Sequence, residues 1–285
     1  MTAIRNFSRV QRAWERFQAL LMPNDWPARL AMRAGVPDHV ARFDVEVTIQ
    51  KPLGTRDRLR IGFASDFHAG PTTTTRLVER ACEVLERAAP DLILLGGDFV
   101  LVRPEYVDRL VEPLSRLRAP LGVFAVYGNH DHWSGLSRVE DALDRAGIPR
   151  LNNRSQTLPA PFDRTLIVGL DDHTAGHPNA DAATWDATLA TVLLIHQPSG
   201  LLDAGERPFD VAFAGHTHGG QIVLPGNFAP VAPHGALSRR YRAGRYTLDG
   251  GRTLLVSRGI GHSVLPFRIG APSDVIVCTL RGRPA

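Results

Sequence analysis

Short apolar runs punctuate the chain, and most end in glycine followed by a residue able to ligate a cation. Leu59-Arg60-Ile61-Gly62-Phe63-Ala64 sets apolar residues at alternate positions and leads into Ser65-Asp66-Phe67-His68. That period is a strand's, delivering a carboxylate and an imidazole at its C-terminal end. The same pattern returns in order. Residues 91–98 end at Gly97-Asp98, 122–127 at Gly128-Asn129-His130-Asp131, 191–195 at His196, and 210–214 at Gly215-His216-Thr217-His218. Runs that are apolar throughout read as strands buried on both faces. A further strand is expected over 165–170. Helical spacing falls over 76–89, with Pro71-Thr72-Thr73-Thr74-Thr75 as its cap, and over 106–118, 137–146 and 181–190. Asp44 to Ile49 alternates as a strand. Strands around 245–248, 253–257 and 274–280 follow a Gly/Pro-rich stretch. Strands alternating with helices predict a layered α/β fold with much parallel pairing. In such sheets ligands bind beyond the carboxyl ends of the strands, where these residues fall.

The first stretch differs. Phe7, Val10, Trp14, Phe17 and Leu21 recur at three- and four-residue steps, with Arg5, Arg9, Arg12 and Arg16 largely off that stripe. This is an amphipathic helix whose apolar face either lies on an anionic bilayer or packs on the main domain or a second copy. Glu15 and the missing cleavage pattern argue against an organellar presequence. Pro23, Pro27 and Pro37 are expected to break helical order. The division expected is 1–43 as an N-terminal amphipathic helical segment and 44–285 as the body.

Composition adds little beyond this. Charged residues are 22% and apolar residues 44% of 285, ordinary for a globular chain with a sizeable core. The net charge of +4 comes from arginine more than lysine. It suits an anionic substrate or membrane surface and is too diffuse to argue for nucleic acid. Cys82 and Cys278 lie in apolar segments and read as buried, reduced thiols. The sequence offers no apolar run of membrane-spanning length and no secretory h-region, so a cytoplasmic location is expected, peripheral on the inner membrane face if the N-terminal stripe binds lipid. Nothing in the pattern sets an oligomeric state.

Chemistry comes from the strand ends. The set holds the carboxylates Asp66 and Asp98, the imidazoles His68, His196, His216 and His218, and the amide of Asn129. Mixed nitrogen and oxygen donors without thiolate suit borderline divalent ions such as Mn, Fe or Zn. Seven donors exceed the need of one ion, whereas two ions sharing one carboxylate use them all. Such a pair holds a bridging hydroxide for in-line displacement at phosphorus. Each residue taken alone has a plainer explanation: His196 as a core histidine, Asp98 and Asn129 as turn formers, His216 and His218 as surface residues. It is their joint recurrence at strand ends that points to a site.

This ordered set resembles the calcineurin-like metallophosphoesterase superfamily over about residues 59–280. Gly215-His216-Thr217-His218-Gly219-Gly220-Gln221-Ile222 is similar to a bacterial branch of small membrane-associated phosphohydrolases, as is Val256-Ser257-Arg258-Gly259-Ile260-Gly261 with Pro266-Phe267-Arg268. That branch includes cell-wall phosphodiesterases and the enzymes of lipid A synthesis that split UDP-2,3-diacylglucosamine. It often has Leu where Phe67 stands and Leu-Gly where Ala69-Gly70 stand. Many of its members carry a membrane segment or export signal where this chain has the amphipathic helix.

The resemblance implies a four-layer α/β/β/α sandwich of two mixed sheets, with a dinuclear metal site at the sheet edge and 44–285 as catalytic domain. It implies that Asp66, His68 and His218 hold one divalent ion and Asn129, His196 and His216 the other, with Asp98 between them. His130 then sits over the phosphoryl group as a charge stabiliser or proton donor, oriented by Asp131. Arg258, His262 and Arg268 are candidate substrate-binding residues, because arginine grips phosphate bidentately. The implied activity is hydrolysis of a phosphoester or pyrophosphate, lipid-linked or on a soluble nucleotide or phosphoprotein. The complete ligand set and His130 speak against a non-catalytic scaffold. His132, His173, His177 and His234 are left without a role.

Overall fold

The computed structural model describes residues 17, 20–22, 25–33, 38–230, 235–263 and 265–284. In chain order the strands are β1 (Val40–Thr48), β2 (Arg58–Ala64), β3 (Leu92–Leu95), β4 (Val123–Ala125), β5 (Arg154–Thr157), β6 (Thr165–Gly169), β7 (Ala190–Leu194), β8 (Val211–Ala214), β9 (Gly244–Thr247), β10 (Thr253–Val256) and β11 (Ser273–Arg281). The α-helices are α1 (Trp26–Arg33), α2 (Thr75–Ala88), α3 (Asp108–Arg116), α4 (Asn129–Ser134), α5 (Leu136–Arg145), α6 (Gly200–Ala204) and α7 (Ala236–Arg240).

Two mixed sheets result, ordered β1-β11-β2-β3-β4 and β5-β6-β7-β8-β10-β9. In the first, β2, β3 and β4 run parallel, and in the second β6, β7, β8 and β10 do. Strand periodicity explains the layering. Leu92 and Leu94 face the inter-sheet core while Ile93 and Leu95 face the helices. On β7, Val192 and Leu194 point inward while Leu193 packs on the outer layer. A strand buried on both faces must be apolar throughout, as these are. Phe63 and Phe213 meet across the sheets with ring centroids 5.4 Å apart. Packing of α2, α3 and α5 on sheet one, and of a thinner layer including α6 and α7 on sheet two, completes four layers.

Local chemistry sets several boundaries. Thr74 caps α2 by accepting a hydrogen bond from the Leu77 amide. Residues 181–190 do not form the expected helix. Asp186 binds the amide and hydroxyl of Thr188, Asn179 the amide of Asp181, and Ala190 already belongs to β7. These side chains offer the backbone a turn in place of a helix. Pro27 opens α1 rather than breaking a helix, since the first turn needs no amide donor. The first strand begins at Val40, four positions before the alternation at Asp44. Phe7, Val10, Trp14 and His234 lie outside the described residues, whereas Phe17 and Leu21 are about half exposed. Cys82 and Cys278 are free thiols, both buried.

Candidate active site

The parallel strands of both sheets end at one edge. From β2 come Asp66 and His68, from β3 Asp98, and from β4, through the first turn of α4, Asn129 and His130. From β7 comes His196, and from β8 His216 and His218. Extended pairing beyond the strands locks these loops. The amides of Asp66 and His68 donate to the carbonyls of Gly97 and Asp98, both at 2.9 Å, and Gly215 N donates to His196 O at 2.7 Å. Asp66, His68, Asp98, His216 and His218 all have φ between 45° and 70°. For residues with a β-carbon this left-handed backbone is strained, and such strain collects at functional sites.

Two of the intervening glycines are required by close approach. A β-carbon on Gly215 would lie 2.3 Å from Asp66 Oδ2, and one on Gly128 would lie 2.2 Å from Asp98 Oδ1. The carboxylates occupy the space that any side chain there would need.

Donor atoms of Asp66, His68 and His218 lie within 4.8 Å of one another, as do those of Asp98, His196 and His216. Asp98 joins the groups: its Oδ2 is 3.4 Å from His68 Nε2 and 3.3 Å from His196 Nε2. Asn129 Oδ1 is 3.1 Å from His196 Nε2. His196 Nδ1 is 2.7 Å from the Gly96 carbonyl, which can only accept, so Nδ1 carries a proton. In the neutral ring the Nε2 lone pair therefore faces two oxygens. Either a proton or a cation must sit there, which tests the donor set directly, and the set fits a divalent ion. Without a cation, burial works to lower the His196 pKa. The charge of Asp98, helped by Asp66, outweighs it and holds the ring well above the ordinary value. At the other end, burial, His68 and Arg268 lower the His218 pKa well below its usual value and keep that ring in its neutral, ligating form.

Burial also pushes Asp66 up to about 6, against the opposing pull of His196 and with a further push from Asp98. A carboxyl whose folded pKa exceeds its ordinary 3.8 favours the fold in acid, and that contribution is lost as the pH rises through about 6. A divalent ion relieves the exposed demand for positive charge. The melting temperature of manganese-loaded protein should therefore exceed that of chelator-treated protein by a margin that widens as the pH rises through about 6. A margin that narrows instead contradicts the placement of Asp66 at the centre.

His130 stands beside the donors, its ring 4.8 Å from that of His68 and 4.9 Å from that of Trp133. Its Nδ1 is 2.7 Å from the Leu101 carbonyl, so backbone orients the imidazole. Asp131 does not. Its carboxylate accepts from four amides, those of Gly128, Asp98, Phe99 and Val100, at 2.8–3.3 Å. It clamps the β3 loop to the start of α4, although burial and Asp98 push it up to about 7.

The three expected substrate contacts divide. Arg268 donates to the carbonyls of His218 (3.1 Å), Ala271 (3.3 Å) and Gly261 (2.5 Å), and its Nη2 lies 3.0 Å from His218 Nδ1. It braces the His218 loop instead of standing open to a phosphate. His262 is buried, and burial with Arg268 lowers its pKa to about 3, so it brings no charge to an anion at neutral pH. Arg258 keeps a side chain 32% exposed, with Nη1 on Asp274 at 2.7 Å.

Some partners were not apparent in the motifs. Ser65 Oγ donates to Asp66 Oδ2 at 2.6 Å, and the hydroxyl beside the carboxylate was the available sign. Next to His196, Gln197 donates to Asp172 at 2.7 Å. His132 lies 2.8 Å from Asp171, and His173 lies 2.7 Å from Asp203.

Residues 59–224 match the family described as the calcineurin-like phosphoesterase superfamily domain. An uncharacterized metallophosphoesterase of Aquifex aeolicus is 30% identical over 254 residues, 86% of this chain and 92% of the relative. Phosphodiesterase YaeI of Escherichia coli is 32% identical over 225 residues, 78% of this chain and 82% of the relative. Among solved structures, a dimetal phosphatase from Danio rerio aligns with a TM-score of 0.46 at 12% identity, over 72% of this chain and 88% of that one.

Proposed function

Since the chain belongs to the calcineurin-like phosphoesterase superfamily, and is thus a metal-dependent phosphoester hydrolase served by two divalent ions, we propose that it cleaves a lipid-linked phosphodiester or pyrophosphate of the UDP-2,3-diacylglucosamine kind at an anionic membrane surface. The observation that carries the hydrolytic reading is Asp98, with one oxygen 3.4 Å from His68 Nε2 and 3.3 Å from His196 Nε2. Asp66, His68 and His218 would hold one ion, Asn129, His196 and His216 the other, and Asp98 both. When bound, such ions supply Lewis-acid neutralisation of the phosphoryl group and an activated water.

The chain's own groups do the rest. The left-handed turns and the clamp of Asp131 fix the donors before substrate arrives, so little reorganisation is needed in the transition state. With Nδ1–H donating to Leu101 O, His130 would act as general acid in its doubly protonated form, giving the Nε2 proton to the leaving oxygen and keeping the Nδ1 proton. Arg258, 32% exposed and paired through Nη1 with Asp274, is the arginine that would still have room to meet the phosphate. The diester half is supported by the E. coli relative's name as a phosphodiesterase, and the lipid-linked half by the exposed apolar residues Leu20 and Leu21 on a basic N-terminal segment. Among the described residues no helix is long and apolar enough to cross a membrane.

A substrate panel tests this: nitrophenyl mono- and diesters, a nucleotide sugar, and its diacylated form, each with manganese, iron or zinc. The diacylated nucleotide sugar should exceed the plain one by about tenfold or more in kcat/KM, the worth of one well-buried apolar contact. Equal values, or preference for a soluble nucleotide or phosphoprotein, overturn the lipid half.

A further inference from the structure

The large apolar side chains that meet solvent are not scattered. Leu202 apart, those among the described residues fall between positions 17 and 32 or on two loops at the metal edge. These loops carry Leu224 (42% exposed), Phe228 (61%), Leu265 (38%) and Ile269 (48%).

The two loops form one unit. Val223 N donates to Ile269 O at 2.8 Å, and Ile269 N donates back to Gln221 O at 3.0 Å. Gln221 Nε2 reaches the carbonyls of Leu265 and Phe267, and Leu224 N closes a hairpin on Phe228 O. This unit is continuous with His218, three residues before Gln221, and Arg268 ties it back to the His218 carbonyl. It also connects toward α1: Thr72 Oγ1 donates to His262 O at 2.9 Å, and Ala28 N donates to Pro71 O at 3.2 Å.

The stretch of chain that carries the first loop is basic. The sequence has no Asp or Glu from Val211 to Leu248, while Arg239, Arg240, Arg242 and Arg245 stand there. Arg242 Nη2 donates to Asn227 O at the hairpin tip. Apolar tips on a carboxylate-free stretch of chain, with Arg242 bonded at the tip, match the boundary between anionic headgroups and acyl chains. A second copy of the chain is a poorer match. Four half-exposed side chains offer on the order of 400 Å², about half of the ~800 Å² each partner buries in a stable dimer.

We propose that the paired loops 222–228 and 265–269 seat in the surface of an anionic bilayer and hold the metal edge against it. The proposal deepens the lipid-linked reading. It rests on that reading only in that the substrate would then pass from the bilayer to the His218 side without crossing water.

The test uses the full chain and vesicles of phosphatidylglycerol with phosphatidylcholine, set against phosphatidylcholine alone. The unaltered protein should sediment with the anionic vesicles at low salt. The double variant Leu224→Ser with Phe228→Ser should partition about tenfold less, the effect of withdrawing one to two buried apolar side chains. Its hydrolysis of bis(nitrophenyl) phosphate should be unchanged, since neither residue belongs to the catalytic machinery. As a second variant, Phe228→Trp keeps an aromatic tip and should gain fluorescence quenching by brominated lipid. Equal partition of the double variant and the parent overturns the proposal, as does quenching of Phe228→Trp no greater than that of the parent's four tryptophans. So does loss of a dimer in solution with vesicle binding intact, which would make this face an interface between copies. Vesicle binding through these loops with no preference for acylated substrate would sink the substrate reading alone. Preference for acylated substrate in detergent, without vesicle binding, would sink the docking surface alone.

Discussion

Asp98→Ala should lose both divalent ions together, and with them nearly all turnover. Asp98 is 1% exposed, and its Oδ2 is the atom shared between the two imidazoles that head the donor groups. Its Oδ1 accepts from the His130 amide at 2.8 Å, so the same side chain also fixes the start of α4. Burial raises its pKa, but His196, His130 and His68 more than compensate and hold it well below the ordinary range. A group ionised at every working pH is suited to bridge two cations. Loss of a supporting contact around a metal commonly lowers affinity or activity by 10–100-fold, and loss of a shared ligand should exceed the upper end of that range. Elemental analysis of the purified variant should show a fall from about two ions per chain to none. Asp98→Asn, which keeps shape and removes charge, should behave alike while retaining the circular dichroism of the parent. Retention of one ion per chain by either variant would sink the bridging role.

His130→Ala should keep its metals and still lose turnover by about 10²-fold or more, the usual scale for a proton donor or a transition-state contact. The ring is held by Leu101 O and flanked by Trp133, and removing it leaves the carboxylate clamp of Asp131 untouched. A ring nitrogen of His130 also lies within 4.8 Å of donor atoms of His68 and Asp98, so geometry alone admits it as a ligand. The two roles separate in two readouts. As a proton donor it should matter most for diesters with poor, strongly basic leaving groups and least for nitrophenolate. As a ligand its loss should slow all substrates alike and lower metal content in step.

Much of this centre was legible because the signals are local. An apolar strand and a ligand must sit close together in sequence if the strand end is to place the ligand, and Asp66, His68, Asp98, His196, His216 and His218 all obey that rule, with a glycine between strand and ligand at Asp98 and His216. What was not legible depends on contacts far apart in sequence. Asp131 adjoins His130 in the chain, which suggests that it orients the ring, yet its partners at Asp98, Phe99 and Val100 lie more than thirty residues away. Arg268 looks like a phosphate grip until its bonds to the His218 loop, fifty residues back, are seen. The edge strand β5, Arg-Ser-Gln-Thr, has no apolar face to mark it, and α6 and α7 have five residues each, too few for a helical period.

The position of β11 has a consequence for biosynthesis. Among the described strands β1 pairs only with β11, and β11 also pairs with β2, the strand that leads to Asp66. A nascent chain ending before Ser273 already carries every proposed metal ligand, yet β1 has no partner and one edge of β2 is bare. Contacts that span almost the whole sequence close last and slowly, because the loop entropy must be met before they form. Assembly of the hydrolytic centre is thereby deferred until translation has passed Arg281. A ribosome stalled upstream leaves an unpaired, apolar β2 edge, which chaperones would have to shield until synthesis resumes.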